Sequence, residues 1–352
     1  MISVAAITSG KNLPSTRFRI RQHIDPLQRY GVGVMEYCPR IDKYAPIPFL
    51  DGRVNHRYIL PVHAAWMGVK LMTRIPGILA SRSHQVTWLS RELLPGYPSL
   101  EKLLKKPLAF DVDDAIWLTT PFGKSAIQRI ARFSDLILAG NDHIANWFAP
   151  ISNRVHVIPT AVDTHRFKPH REMDMDNEVF TIGWTGSSAT LPFLEAIESP
   201  LARFLREFKH TRITIMADRK VCFKNIPPEK INCRRWSPHA ESNFLNTMDV
   251  GLMPMPDTAW TRGKCAYKML LYMATGVPVI VSPVGMNRDV LAMGDVGLSA
   301  RTDDEWYEAL VYIYRHRTSA ATMGKTGRGV ILNHFDRYLV TQRIADLFHH
   351  LI

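Results

Sequence analysis

Short apolar runs rich in β-branched residues alternate along the chain with longer segments of helical periodicity. In the first half, such runs predict strands at residues 2–8, 33–37, 86–89, 107–112, 135–139 and 155–159. Helical segments fill most of the intervals between them. Strands separated by helices form parallel sheets with helices on both faces. The first half is therefore predicted to be a doubly wound α/β domain.

The pattern is interrupted once and then restarts. Residues 164–178, THRFKPHREMDMDNE, are polar and unpatterned, which predicts a linker. Further strands are predicted at residues 179–184, 212–217, 231–236, 250–254 and 277–282. We expect an N-terminal Rossmann-like domain at residues 1–165 and a C-terminal one at residues 166–335. The remaining residues, 336–352, form a predicted helix for which packing back on the first domain is one option.

One segment of the first domain leaves two alternatives open. Residues 62–80, VHAAWMGVKLMTRIPGILA, combine apolar residues with Lys70 and Arg74. A helix that covers the sheet has this composition, and so does an amphipathic helix lying in a membrane interface. Pro76 is expected to break or kink the helix.

Composition narrows the class of protein. With 352 residues, 46% of them hydrophobic and 22% charged, the chain is long and apolar enough for two globular domains. No run approaches the roughly 20 apolar residues of a membrane-spanning helix, and the first apolar run lacks the flanks of a signal peptide. We expect a cytoplasmic location, optionally at the inner membrane face. The four cysteines show no metal-ligand spacing, which predicts reduced, mostly buried thiols and no metal site.

Charge is concentrated in the first third. The net charge is +12, and residues 1–110 hold 16 Lys and Arg against 6 Asp and Glu, an excess of ten. Such a surface attracts phosphorylated acceptors, an anionic membrane or nucleic acid. Because no nucleic-acid-binding signature is visible and the second half predicts phosphate-binding strand–turn–helix units, a nucleic acid is not the expected partner.

Polar and small residues just past a strand are the first candidates for a binding site, since open α/β sheets bind ligands at the carboxyl ends of their strands. In IGWTGSSATLPFLEAI, the strand ends in Gly186, Ser187 and Ser188 before a helix that starts near Thr190, with Pro192 in its first turn. Small residues let backbone N–H groups approach a phosphate, and the helix dipole favours its charge. An ordinary tight turn uses the same residues.

A second candidate lies in DTAWTRGKCAYKMLLYMATGVPVIVSPVGMN. A helix is predicted at residues 264–275, with Gly276 as its stop. Arg262, Lys264 and Lys268 would gather at its N-terminal end, where cations are disfavoured. A bound diphosphate would offset this, whereas a solvated basic face is the alternative.

A third candidate is PLAFDVDDAIW, in which Asp111, Asp113 and Asp114 follow an apolar run. Asp113 or Asp114 is predicted to act as a base or to orient an acceptor, with helix capping as the alternative.

Three arginines follow the first predicted strand. Arg17, Arg19 and Arg21 could bind an anionic acceptor or could face solvent. Arginines two positions apart do not share one helix face, so at most some of them can contact one ligand.

Several segments together resemble the retaining glycosyltransferases of the GT-B fold known as glycosyltransferase family four. HVIPTAVDTHRFKP resembles the inter-domain segment of that family, IGWTGS its first C-terminal strand and turn, and KMLLYMATGVPVIVSPVGMN its helix–strand donor motif. DVDDAIW and PSTRFRIRQ are weaker matches. The resemblance covers roughly residues 135–330.

The resemblance implies two Rossmann-like domains facing a cleft, with the nucleotide-sugar on the C-terminal domain and the acceptor on the N-terminal one. It also implies a metal-independent, retaining transfer of the hexosyltransferase type, with the nucleotide-sugar as co-substrate and no cofactor. A glycan or lipid-linked acceptor and a role in glycan or polysaccharide biosynthesis follow from it, with peripheral contact to an anionic membrane as an option.

The strand-end arguments and the resemblance together give the candidate site residues. Those predicted to bind the donor are Gly186, Ser187, Ser188, Arg262, Lys264, Lys268, Tyr272, Val284, Gly285, Met286 and Asn287. Those predicted on the acceptor side are Arg17, Arg19, Asp113 and Asp114. Asp113 and Lys268 are the predicted catalytic residues.

The sequence departs from the family pattern at two places. The Glu-x7-Glu pair of the family would fall at Gly263 and Leu271, so neither carboxylate is present. The Arg and Lys of the first C-terminal turn are missing, with Ser187 and Ser188 in that region. The phosphate role is therefore assigned to the three cations at residues 262–268.

Two other functions stay open. The missing glutamates would permit a non-catalytic nucleotide-sugar-binding protein descended from a transferase. A nucleotide-sugar epimerase would share the architecture and donor, but its site normally needs several carboxylates and histidines.

Overall fold

The computed structural model describes residues 1–48, 56–170 and 179–352, together with the backbone but not the side chains of residues 56–60. The chain forms two compact units, Met1–Ala161 with Arg337–Ile352, and Val162–Asp336. Most of the predicted linker, residues 171–178, lies outside the described residues.

The first unit is built on a parallel sheet. Its strands are β1 (Ile2–Ile7), β2 (Val32–Tyr37), β3 (Val86–Ser90), β4 (Leu108–Val112), β5 (Leu136–Ala139) and β6 (Val155–Val157). Their order across the sheet is β2-β1-β3-β4-β5-β6. All six predicted strands are confirmed, to within two residues at either end. The central strands β3 and β4 are buried along their whole length, as expected for a sheet covered on both faces.

Helices of the first unit connect these strands. They are α1 (Gln22–Gln28), α2 (His56–Met72), α3 (Ile75–Ser81), α4 (Gly123–Phe133) and α5 (Asp142–Phe148). A π-helical turn at Thr16–Arg21 precedes α1, and 3-10 turns lie at Leu100–Leu103 and Ile116–Leu118. The predicted break at Pro76 is confirmed, because α2 ends at Met72 and Pro76 lies in the first turn of α3.

The second unit repeats the plan. Its strands are β7 (Phe180–Thr185), β8 (Thr211–Ala217), β9 (Ile231–Arg235), β10 (Val250–Met253), β11 (Val279–Val281) and β12 (Gly297–Ser299). Their order is β12-β11-β10-β7-β8-β9, and neighbouring strands are parallel. The five predicted strands are confirmed. The edge strand β12 was not predicted, because three residues, GLS, are too short to show periodicity.

The helices of this unit differ from the prediction at the start of one helix. They are α6 (Leu191–Glu195), α7 (Glu198–Glu207), α8 (Glu241–Leu245), α9 (Ala259–Arg262), α10 (Tyr267–Ala274), α11 (Met286–Leu291), α12 (Asp303–Arg315) and α13 (Arg317–Val330). The helix predicted from Lys264 starts at Tyr267, because Ala266 has a left-handed backbone with φ of 51°. The predicted stop at Gly276 is confirmed, with φ of 74°.

The last helix, α14 (Arg337–His349), packs on the first unit. Phe348 contacts Trp88 of β3 edge-to-face, with ring centroids 5.3 Å apart. The Nδ1 atom of His23 lies 2.7 Å from the hydroxyl of Thr341, and burial lowers the pKa of His23 to about 3. The imidazole is therefore neutral, as a buried helix contact requires.

Two surface properties bear on the sequence predictions. All four cysteines are free, but only Cys265 is buried, so the expectation of mostly buried thiols is wrong. Within the described ranges, no helix is both long and apolar enough to cross a bilayer.

Candidate functional site

The strand order of the second unit locates a candidate site. From β7 the chain proceeds through β8 to β9 on one side, whereas β10, β11 and β12 extend on the other. Ligands of open α/β sheets bind where the order reverses, beyond the carboxyl ends of the two central strands. The site is therefore expected around Gly186, which follows β7, and Pro254, which follows β10.

The turn after β7 is held by the neighbouring strand. The N–H of Gly186 donates to the carbonyl of Met216, at 3.0 Å. Both the N–H and the hydroxyl of Ser188 donate to the carboxylate of Asp218, at 2.5 and 2.9 Å. Because a phosphate at Ser188 would face this carboxylate, the structure favours the exposed Ser187 for contact with an anion, and Gly186 leaves room beside it.

Lys268 reaches this turn from α10. Its ammonium donates a 2.8 Å hydrogen bond to the hydroxyl of Thr190 and lies 4.4 Å from the centre of the Trp184 ring. A Cβ on Gly186 would lie 2.7 Å from the Lys268 Nζ atom and 2.5 Å from the Trp184 ring. Glycine is therefore required for the ammonium to approach the turn.

The charge on Lys268 is poorly compensated. Burial, together with the nearby charge of Lys264, lowers its pKa to about 7. In the described part of the chain, the Thr190 hydroxyl is its hydrogen-bond acceptor. An ammonium has three N–H donors, so Lys268 retains donor capacity for an anionic ligand.

The other two predicted cations have different contacts, and only Lys264 is near enough to Lys268 to affect its pKa. Arg262 belongs to α9 and donates to the carboxylate of Asp257 at 2.6 and 3.1 Å, on an exposed surface. The Lys264 ammonium lies 3.6 Å from the centre of the Trp260 ring. The predicted gathering of three cations at the start of one helix is corrected to a pair, Lys264 and Lys268.

The helix after the turn contributes less than expected. Thr190 occupies the N-cap position of α6, but its side chain makes no capping bond, and the helix is only five residues long. Its hydroxyl instead donates to the carbonyl of Ser187 and accepts from Lys268. The cation of Lys268, more than a helix dipole, supplies the positive potential at this turn.

The loop after β11 presents backbone more than side chains. Val284, Met286 and Asn287 are buried, and the Asn287 amide donates to the carbonyl of Ser282 at 3.0 Å. Gly285 is partly exposed, with φ of 52°, and a Cβ there would lie 2.6 Å from the carbonyl oxygen of Arg262. Asn287 thereby supports the loop, and the predicted donor contacts of these residues stay predictions.

Tyr272 lies beneath the site. It is fully buried, accepts the N–H of Thr185 at 3.0 Å and donates to the carbonyl of Leu252 at 3.3 Å. Burial raises the pKa of its hydroxyl. Because these bonds join β7 to β10 where the strand order reverses, the structure gives Tyr272 a positioning role in place of the predicted donor contact.

On the first unit, Arg19 is part of the core. Its guanidinium donates to both carboxylate oxygens of Asp111, at 2.8 and 3.3 Å, and to the carbonyl of Ile158, at 2.6 Å. The side chains are 2% and 1% exposed. The prediction that Arg19 contacts an acceptor is therefore wrong, since its donors are directed into the protein.

The two predicted aspartates share an unpredicted cation. Arg91, which follows β3 with φ of 59°, lies 2.6 Å from Asp113 and 3.6 Å from Asp114. Asp114 also accepts the N–H of Ala115 at 3.0 Å. These three residues meet at the carboxyl ends of the neighbouring strands β3 and β4. The acceptor-side role of Asp113 stays a prediction.

The remaining arginines lie nearer the surface. The Arg17 guanidinium lies 4.6 Å from the centre of the Phe18 ring. Arg21 pairs with Glu36 at 2.7 Å. Neither contact assigns a ligand, so the acceptor role of Arg17 stays a prediction.

Four residues of the donor-side geometry were missed: Trp184, Asp218, Thr258 and Trp260. Asp218 is the first residue past the predicted strand at 212–217, so the strand-end rule alone would have selected it. Thr258 and Thr261 form a capping box that starts α9, a pattern without the usual Glu or Gln. The roles of Trp184 and Trp260 could not be predicted from the sequence, because they depend on which lysine lies over each ring.

Comparisons with known proteins agree with the architecture. No protein-family model matches the sequence, and no curated protein is similar to it by sequence. Among solved structures, sucrose-phosphate synthase from Thermosynechococcus elongatus has a TM-score of 0.71 at 12% identity, over 100% of this chain and 99% of that one. Anabaena HepE in complex with UDP and glucose has a TM-score of 0.67 at 11% identity, over 100% of both chains. A glycosyltransferase from Rickettsia africae has a TM-score of 0.66 at 10% identity, over 99% and 98%.

The chain has the GT-B fold. The α/β class and the two Rossmann-like domains expected from the sequence are confirmed by this likeness and by the two parallel sheets. At 10–12% identity, the GT-B likeness shows the fold alone. The activity has to be argued from the side chains at the turn after β7.

Proposed function

We propose that this GT-B protein is a retaining glycosyltransferase of the family-four type, which moves a sugar, most simply a hexose, from a nucleotide-sugar to an acceptor. The observation that carries the proposal is Lys268, a half-buried ammonium with no carboxylate partner among the described residues. It is held against a glycine turn where the strand order reverses. Anabaena HepE, a solved structure similar to this chain, is in complex with UDP-glucose, which supports a nucleotide-sugar as the ligand class.

In this proposal the donor diphosphate lies against Gly186 and Ser187, with Lys268 and Lys264 supplying positive charge. As the bond between the sugar and the diphosphate breaks, negative charge grows on the leaving oxygen. Cations fixed in a partly desolvated site stabilise that charge more strongly than water does. We propose that this replaces a metal ion and that no cofactor is used.

We further infer a glycan or lipid-linked acceptor, with the transfer serving glycan or polysaccharide biosynthesis at the cytoplasmic side of a membrane. The positive first third of the chain supports an anionic partner of either kind. Asp113, oriented by Arg91, is the proposed acceptor-side carboxylate.

A specific observation supports one alternative. Gly263 and Leu271, which stand where the family has its two glutamates, are both buried and have no side-chain oxygen to bind sugar hydroxyls. A protein that binds nucleotide-sugars without turnover would tolerate this. Donor binding with no release of nucleoside diphosphate in the presence of any acceptor would favour that alternative.

The test of the proposal is thermal stability against UDP-, GDP-, ADP- and dTDP-sugars. A ligand at 100 times its Kd stabilises the folded state by about 2.7 kcal/mol. We expect a rise in Tm with one nucleotide class, followed by release of that nucleoside diphosphate when an acceptor is added. A set of curves that coincide with the ligand-free protein would contradict donor binding.

Donor affinity is expected to fall as the pH rises above about 7. The free protein has Lys268 with a pKa of about 7, and the diphosphate stabilises its charged form, so the pKa is higher in the complex. Binding therefore takes up a proton above pH 7, and Kd should rise by up to about tenfold per pH unit. A nucleotide-sugar has no terminal phosphate with a pKa near 6, so the donor itself does not titrate in this range.

The control is Lys268→Arg, whose guanidinium stays charged throughout. Calorimetry from pH 6 to 9 should give a sloping profile for the unaltered protein and a flat, weaker one for the variant. The same slope in both would assign the titration to another group.

A further inference from the structure

The helices α2 and α3 carry their apolar side chains outward. Every exposed residue between positions 61 and 79 is apolar, glycine or proline. We call the exposed side chains of Val62, Ala65, Val69, Met72, Ile75 and Leu79 the apolar face. Met72 is 68% exposed and Leu79 is 56% exposed.

The charged side chains of the same segment point the other way. Lys70 and Arg74 are only 6% and 3% exposed, and the Lys70 ammonium donates to the carbonyl of Lys43 at 3.0 Å. Burial lowers the pKa of Arg74 to about 10. A surface helix in water normally has the reverse arrangement, with its apolar side toward the core. Packing within the first unit therefore does not explain why the apolar side chains of α2 and α3 are exposed.

The segment that carries the apolar face has charged residues of one sign only. No Asp or Glu occurs between Asp51 and Glu92. Arg82 lies exposed just past α3, and the Lys105 ammonium donates to its carbonyl at 3.3 Å, so both cations lie at one end of the face. Residues 1–110 as a whole carry an excess of ten positive charges.

We propose that the apolar face docks on the surface of an anionic lipid bilayer. Apolar side chains on one side of a surface helix enter the boundary between headgroups and acyl chains, and flanking cations bind anionic headgroups. A second copy of the chain fits less well, because a two-fold contact would bring the same acid-free, cationic segments together. This surface belongs to the first unit, whereas the turn that holds Lys268 belongs to the second, and its test uses binding alone.

The experiment is co-sedimentation of the full chain with vesicles of phosphatidylcholine, with and without phosphatidylglycerol. We expect binding to the anionic vesicles, weakened by salt and by omission of phosphatidylglycerol. The double variant Met72→Asp, Leu79→Asp should reduce binding by at least about tenfold, because two charges must then enter the interface. The matched control is Met293→Asp, which alters a methionine that is 45% exposed on the second unit and should bind as the unaltered protein does.

Three results would overturn the proposal. The first is no binding of the unaltered chain to anionic vesicles. The second is equal binding by the double variant, with an unchanged Tm as evidence of folding. The third is a dimer in solution, by sedimentation velocity, that the double variant dissociates, since the face would then be an interface between two copies.

Discussion

Lys268→Ala is expected to lower the rate of sugar transfer by roughly 10²- to 10³-fold, the usual cost of removing one fixed donor that stabilises a developing anion. The side chain supplies the ammonium that the Thr190 hydroxyl and the glycine turn hold in place. Transfer would be followed as release of nucleoside diphosphate, with the donor identified by thermal stability.

The same variant should not unfold. The pKa of Lys268 is about 7 in the folded chain, below its ordinary value near 10.5. A lysine whose pKa falls on folding lowers the free energy of unfolding at any pH where that lysine is charged in the unfolded chain. Replacing it by alanine removes this destabilisation at pH 7. We therefore expect the Tm of the ligand-free variant to equal or exceed that of the unaltered chain.

The matched control is Lys209→Ala, because Lys209 is exposed and lies just before β8, at the end of the strands opposite to the turn that holds Lys268. It should leave transfer unchanged. Normal transfer by folded Lys268→Ala protein would refute the assignment of the ammonium to the leaving group. Equal losses in both variants would point to a general effect of charge.

Arg19→Met is expected to destabilise the chain by about 3–5 kcal/mol, because it leaves the carboxylate of Asp111 buried without its cation. The Trp88 indole, 3.3 Å from the carboxylate, donates a neutral hydrogen bond that cannot replace a guanidinium. Burial raises the pKa of Asp111 and the Arg19 charge opposes this rise. In the variant we expect Asp111 to take up a proton more readily, so part of the lost stability should return as the pH falls toward 5.

The control is Lys106→Met, which removes an exposed cation that pairs with the half-buried Asp135 in the same unit. Exposed pairs contribute about 0–1 kcal/mol, so this variant should remain near the unaltered protein. Urea unfolding followed by tryptophan fluorescence would measure both. A cost below about 1 kcal/mol for Arg19→Met would show that the buried pair stabilises little beyond its own desolvation.

Much of the fold could be predicted from the sequence, because hydrophobic periodicity and composition do not depend on tertiary contacts. Eleven strands were predicted from alternating apolar runs, and the break at Pro76 and the stop at Gly276 follow from backbone restrictions of single residues. The edge strand β12 and the late start of α10 were missed. Both depend on neighbours: β12 exists through its pairing with β11, and Ala266 adopts a conformation that alanine does not favour by itself.

For the candidate site, residue type predicted which segments contribute but not which of their side chains contact each other. Gly186 and Lys268 were both selected from strand-end and helix-start arguments, yet only the tertiary structure shows that they meet. Tyr272 was selected as well, but it is completely buried, and its hydroxyl hydrogen-bonds to the backbones of β7 and β10.

The sequence by itself determined the layer architecture, the two domains and the positive first third, since these depend on local period and on sums over residues. Only the tertiary structure decided which charges are matched and which faces are outside. Arg19 and Asp111 are 92 positions apart, and their pairing arises from sheet order, not from any local pattern. In the same way, the helical period of residues 62–80 specifies two opposite faces but not which one meets the sheet, and packing turned Lys70 inward and Met72 outward.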